Sequence, residues 1–122
     1  MKEELISFET AKLAKYSGFN IYTNGSYDSI GNISQTHYIF NHHNLVNSFP
    51  KPTQSLLQKW LREKHTIIVY PAPVIPDCKE FGCNVYQNTG DTFIEFNTPF
   101  HDSWEKAFEE GLQEALKLIK QQ

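Results

Sequence analysis

The chain is predicted to fold as an α+β domain: an antiparallel sheet with an added β-hairpin, and two to three helices packed mainly on one face. Three observations point there. Residues 52–65 carry a compact amphipathic helical pattern that runs almost directly into the apolar run 66–70, a helix–strand unit at the centre of the chain. Runs of aromatic and β-branched residues flank Asn-Gly and Gly-Asn pairs, the pattern of hairpins. A second amphipathic pattern, residues 102–119, closes the sequence. With 122 residues, positions 1–122 read as a single domain. A chain of this length buries roughly 65% of its extended surface on folding, enough to stand on an apolar core.

Ser7 is placed to cap a first helix through Phe8, Ala11, Leu13, Ala14 and Lys15, with Glu9 in the turn where the helix dipole favours negative charge. Gly18 fits the C′ position that ends it. Residues 19–23 and 36–40 follow as strands of an antiparallel hairpin with a long polar tip, in which Asn24-Gly25 and Gly31-Asn32 are turn signals. Residues 41–51 read as a loop, from Asn41-His42-His43-Asn44 to Pro50. Pro52 suits the first turn of the next helix, where its missing N–H costs nothing. Leu56, Leu57, Trp60 and Leu61 form one apolar stripe on that helix; Gln54, Gln58, Lys59, Arg62 and Glu63 take the outer side.

The stripe needs a platform, and the predicted one is a three-stranded antiparallel sheet. Its strands are residues 66–70, 83–87 and 92–97, the last two forming a hairpin around Asn88-Thr89-Gly90-Asp91. In the connection 71–82, Pro71, Pro73 and Pro76 keep the backbone out of a central strand. Val74, Ile75 and Phe81 make this connection the leading candidate for an interaction surface, set against the plainer alternative that they fold back over a sheet edge. Asp102 opens the last helix with Glu105 three residues on, an aspartate form of the capping box. Trp104, Ala107, Phe108, Gly111, Leu112, Ala115, Leu116 and Ile119 share one face of it. Glycine inside a helix costs about 1 kcal/mol against alanine, so Gly111 implies a close neighbour: the sheet, the middle helix or a second copy. Glu105, Lys106, Glu109, Glu110, Glu114, Lys117 and Lys120 make the outer face.

Composition narrows the function classes. An aromatic share of 14% makes the expected core aromatic and the chain globular rather than disordered. With 11 basic and 14 acidic residues the net charge is −3, a balance that argues against a dedicated nucleic-acid binder, whose affinity rests on neutralised phosphates. The first six residues are charged and lack an apolar signal core, and no run approaches the ~20 apolar residues of a membrane span. The expected location is therefore cytoplasmic, where Cys78 and Cys83 remain thiols. Their C-x4-C spacing, with no second pair, is a poor zinc signature.

Catalytic patterns are missing from the sequence. The five histidines, at positions 37, 42, 43, 65 and 101, show no i, i+4 metal-ligand spacing; a site would need convergence, for instance of His42, His101 and Asp102. No serine sits in a nucleophile elbow, neither cysteine has an activating neighbourhood, and no phosphate-binding glycine loop is present. No enzyme activity and no cofactor are expected. Nucleic acid is the runner-up partner: Lys51, Lys59, Arg62 and Lys64 could meet phosphates, and Tyr22, Tyr27 and Tyr38 could stack on bases.

Residues 52–65, PTQSLLQKWLREKH, resemble the hallmark segment of a family of small hypothetical proteins of phages and prophages. Members typically open with a segment like residues 6–14 and close with one like residues 110–119, and all three blocks are present here in order. The resemblance implies a phage origin, and so the host-cell cytoplasm, but assigns no catalytic residue. Small phage proteins without enzyme motifs often work by binding: they inhibit a host factor, sequester a defence signal, or assist replication and packaging. The expected role is a non-enzymatic accessory protein that binds a host protein or a small signalling, nucleotide-like ligand, alone or as a homodimer. For such a ligand, Tyr22, Tyr27 and Tyr38 are the stacking candidates, Lys59 and Arg62 the anion-binding candidates, and Gln54 and Gln58 further polar contacts. A DNA- or RNA-associated role is the alternative.

Overall fold

The computed structural model describes residues 5–19, 23–27, 33–40, 49–50, 52–88, 90 and 93–120. It is α+β: three helices and antiparallel strands arranged in two three-stranded sheets among the described residues. The chain gathers into two compact units, Met1–Thr53 and Gln54–Gln122, and each is described by itself.

The first unit begins with α1 (Phe8–Tyr16), and both of its ends follow from local chemistry. Ser7 Oγ accepts the Thr10 N–H at 3.2 Å, the expected N-cap. At the other end Gly18 takes φ +94°. Its N–H donates to the Lys15 carbonyl and the Phe19 N–H to the Ala14 carbonyl, the paired bonds of a Schellman closure. Phe19 therefore belongs to the helix cap and is buried, not the first residue of a strand. The strand starts later: β1 (Thr23–Tyr27) pairs antiparallel with β2 (Ile33–Phe40). Asn24-Gly25, expected in the turn, lies inside β1, where the register shifts between Asn24 and Ser26. This is the use of a strand glycine at a bulge rather than at a reversal. Gly31-Asn32 falls outside the described residues. β3 (Phe49–Pro50) adds to the other side of β1, with Ser26 opposite Pro50, so the expected loop ends in a short edge strand. An edge is where a proline is tolerated. The Ile6 N–H donates to the Pro52 carbonyl at 3.1 Å, and Ile6 is fully buried.

The second unit starts with α2 (Gln54–His65), two residues beyond Pro52, which therefore precedes the helix instead of sitting in its first turn. Leu57, Trp60 and Leu61 are buried as the stripe required. Thr66, at φ +53°, reverses the chain in a single residue and delivers it into β4 (Ile67–Pro73). β5 (Phe81–Asn88) and β6 (Phe93–Asn97) complete an antiparallel sheet in the order β4-β5-β6. The strand β4 runs on through Pro71, Ala72 and Pro73, past the predicted end at residue 70. It does so because β4 is an edge: the backbone groups of Pro71 and Pro73 face away from β5, so no ladder bond is lost.

The chain closes with α3 (Trp104–Lys120), laid over β4 and β5. Its cap is one residue later than the sequence suggests. Ser103 Oγ accepts the Lys106 N–H at 3.1 Å, while the Asp102 carboxylate pairs with Lys106 Nζ at 3.0 Å. Aspartate and serine are both good caps, and the i, i+4 ion pair draws Asp102 away. Ala107, Phe108, Leu112, Ala115 and Leu116 are buried, whereas Trp104 remains 41% exposed. Gly111 meets the sheet, one of the neighbours its presence implied. A Cβ there would overlap Cys83 Sγ and stand 3.1 Å from Val69 Cγ1.

Candidate functional site

Pairing in the β4-β5-β6 sheet sorts side chains onto two faces. Ile67, Val69 and Pro71 of β4 share a face with Cys83, Val85 and Gln87 of β5, and all are buried. The opposite face carries Ile68, Tyr70 and Ala72, cross-strand from Tyr86, Asn84 and Gly82, and beyond them Glu95 and Asn97. An antiparallel sheet with one open face ordinarily turns polar side chains to solvent. Here Ile68 is 41% exposed and Tyr70 57%.

Phe100 extends this apolar surface. Its ring lies where a side chain at position 82 would be, with ring atoms 3.1 and 3.2 Å from a Cβ placed on Gly82, and the ring is 62% exposed. Gly82 therefore makes room for a phenyl group on the outside of the sheet. Between them runs an open groove of about 200 Å³, lined by Ala72, Pro73, Val74, Gly82, Asn84 and Phe100. The connection beside it is held by the Val74 N–H to the Glu80 carbonyl at 2.8 Å and the Cys78 N–H to the Val74 carbonyl at 3.0 Å. Ile75 at its tip is 80% exposed.

Of the three residues expected to form an interaction surface, Val74 lines the groove and Ile75 projects into solvent. Phe81 does neither. It belongs to β5, exchanges backbone hydrogen bonds with His101 at 2.8 and 2.7 Å, and meets the Trp104 ring edge-on with centroids 6.3 Å apart.

The ligand residues expected from the sequence are dispersed. Tyr22 lies outside the described residues; Tyr27 and Tyr38 belong to β1 and β2 of the first unit. Lys59 and Arg62 are exposed on α2. Gln54 and Gln58, placed by sequence on the solvent side, turn inward. Gln54 is buried and donates to the Glu105 carbonyl and to Glu109 Oε1, both at 3.0 Å. Gln58 donates to the Val69 carbonyl at 2.6 Å. The two amides tie α2 to its neighbours, Gln54 to α3 and Gln58 to β4.

Three titratable groups of this unit, Cys83, His65 and His101, are engaged in the fold. His101 Nε2 lies 2.6 Å from Glu110 Oε1. His42, its suggested partner in a metal site, lies outside the described residues, and among the described residues no three His, Cys, Asp or Glu side chains converge. Burial pushes the Cys83 thiol up to about 12, opposed by a backbone hydrogen bond at Tyr70 and reinforced by the Glu110 charge. A thiol held that far above neutrality is not a nucleophile. His65 packs edge-on against Trp60 with centroids 4.8 Å apart, and burial lowers its pKa. No helix among the described residues is long and apolar enough to cross a membrane.

Comparison of the chain with protein-family models, curated proteins and solved structures finds no match. The sequence pattern does not single out Ile68, Tyr70, Tyr86 and Phe100 as surface residues. The signal for the first two was present in the unbroken apolar run 67–70, which has no polar alternate to turn outward.

Proposed function

We propose that this protein is a non-enzymatic accessory protein, phage-encoded as its sequence resemblance implies, that acts in the host cytoplasm by binding a host protein. The observation that supports this most is the open face of the β4-β5-β6 sheet, with Ile68, Tyr70 and the neighbouring Phe100 exposed. Aromatic residues beside an aliphatic one are the composition of interface cores. A protein partner is favoured over a small signalling ligand by size and shape. Ligand pockets usually enclose roughly 300–1,000 Å³, whereas the groove beside Phe100 offers about 200 Å³ and is open.

A nucleic-acid role keeps one specific support: Lys59, Arg62 and Lys64 are exposed together on α2. Against it stands the net charge of −3. The two readings separate cleanly. Immobilised wild-type protein and a Tyr70→Asp/Phe100→Asp variant would be exposed to host lysate, and retained proteins identified by mass spectrometry. A host protein held by the wild type and lost from the equally folded variant supports the proposal. Identical retention by both, or an oligonucleotide shift that fades steeply with salt, counts against it.

A further inference from the structure

The two edges of the β4-β5-β6 sheet are finished differently. Along an antiparallel strand, backbone groups point alternately to one neighbour and the other. The Thr98 N–H donates to the Cys83 carbonyl at 2.9 Å. By alternation, Val85 and Gln87 then face β6, where Phe96 and Ile94 are their partners. Phe93, Glu95 and Asn97 consequently turn their N–H and C=O groups to the outside. On the opposite edge the same alternation turns Ile67, Val69, Pro71 and Pro73 outward. That edge is closed: the two prolines carry no donor, and the Val69 carbonyl is taken by Gln58. Along β6, no described strand takes the outward groups.

On the helix-bearing face, the side chains beside the open edge are apolar. Ile94 and Phe96 lie on the helix-bearing face, cross-strand from the buried Gln87 and Val85. They remain 37% and 39% exposed, because α3 is laid over β4 and β5. Backbone groups that no described strand pairs, flanked by partly uncovered apolar side chains, form the seat of one more strand.

We propose that this strand is β6 of a second copy, paired antiparallel across a two-fold axis through Phe96. Strand self-pairing of this kind is isologous, each copy supplying the same surface. Outward-facing residues must meet outward-facing residues, which restricts where the axis can fall. An axis through Glu95 sets two carboxylates directly opposite each other, an unfavourable cross-strand pair. An axis through Phe96 instead sets Glu95 against Asn97 of the second copy, twice by symmetry. It also brings the two Phe96 rings together at a non-hydrogen-bonded pair, where side chains approach closest. The exposed rings are covered, and two three-stranded sheets become one of six strands. The seam leaves the face bearing Ile68 and Tyr70 free, so the dimer stands or falls independently of the binding role proposed above.

The test is sedimentation equilibrium of the full chain across the micromolar range, with hydrogen exchange on the same samples. Wild type is expected at the mass of a dimer, with the Asn97 amide protected. Glu95→Pro removes an outward N–H that β5 does not use, as Pro71 and Pro73 do on the other edge; it is expected to be a folded monomer with Asn97 exchanging freely. Phe96→Lys, which puts a charge at the seam, is expected to dissociate the dimer as well and decides the matter if the proline variant fails to fold. A wild type that stays monomeric overturns the proposal. So does a dimer that survives Phe96→Lys, or one whose Asn97 amide is unprotected.

Discussion

One sheet in this protein has two unlike faces. Beneath α2 and α3, Ile67, Val69, Cys83 and Val85 are at most 1% exposed; on the reverse, Ile68 and Tyr70 are 41% and 57% exposed although they alternate with the first two along the same strand. Residue type scarcely separates the faces, since isoleucine occupies both. Cover separates them: the helices bring a complementary surface to one side only, and Gly111 lets α3 approach until nothing fits between it and Cys83. The lesson is that apolar character in a strand shows what could be buried, while helix placement shows what is. An apolar face left without cover is then a feature to be explained by function.

The widest contrast is expected in thiol chemistry. Cys78 is exposed and Cys83 is buried. With the Cys83 thiol pushed from 9.0 to about 12 by burial, its thiolate population at neutral pH falls roughly a thousandfold, and reactivity with it. Native protein treated with a chromogenic disulfide reagent should release one equivalent quickly and the second only on unfolding. Two equally fast equivalents would mean that α3 does not seal this face.

Gly111→Ala should produce the largest loss of stability. The new methyl gains about 1 kcal/mol of helix propensity, yet it must displace Cys83 Sγ and crowd Val69. Overpacking of this kind typically costs 1–3 kcal/mol, so after the propensity gain a net loss of about 1 kcal/mol is expected in urea unfolding. Cys83→Ala removes the obstructing sulfur and should recover part of that loss in the double variant. Additive losses in the two substitutions would show that the contact is not the cause.

A smaller effect is expected from His65, the last residue of α2, which packs edge-on against Trp60. Burial lowers its pKa below the ordinary 6.5, so the folded protein holds the neutral ring more readily than the unfolded chain does. The stability this contributes is present above the unfolded value and is lost as pH falls towards the folded one. Melting temperature should drop below pH 6.5, and His65→Gln should flatten that drop. A variant whose pH profile overlays the wild type would place the acid sensitivity elsewhere.

How much of this was legible in the sequence depended on how local its cause was. The caps of α1 were readable because Ser7 and Gly18 act on their own turns, and the strand pattern of the second sheet was readable because its apolar runs are separated by turn residues. The sequence pattern puts the cap of α3 one residue early because Asp102 and Ser103 are both competent, and only the partnership with Lys106 decides between them. The prolines argue against a central strand beyond residue 70, yet β4 is an edge strand, which admits proline at every second position. The helical pattern alone places Gln54 and Gln58 on the solvent side. Their partners, Glu105, Glu109 and Val69, lie on other elements, and no helical period reveals them. The open face was hidden for the same reason: residues 67–70 are apolar at every position, so which side lacks cover is settled by the tertiary arrangement.

The smallest stability effect is expected on that open face, and its smallness is what makes it informative. Ile68→Thr with Tyr70→Thr puts β-branched residues, which suit a strand, at both positions and removes apolar surface that the fold leaves in water. Substitutions at such positions ordinarily shift stability within about 0.5 kcal/mol. The urea midpoint should therefore stay near that of the wild type, while retention of the proposed host protein is lost. If the pair instead destabilises the protein as strongly as Gly111→Ala does, Ile68 and Tyr70 are supporting the fold. The difference between the two faces would then be one of degree, and the surface would lose its claim to a partner.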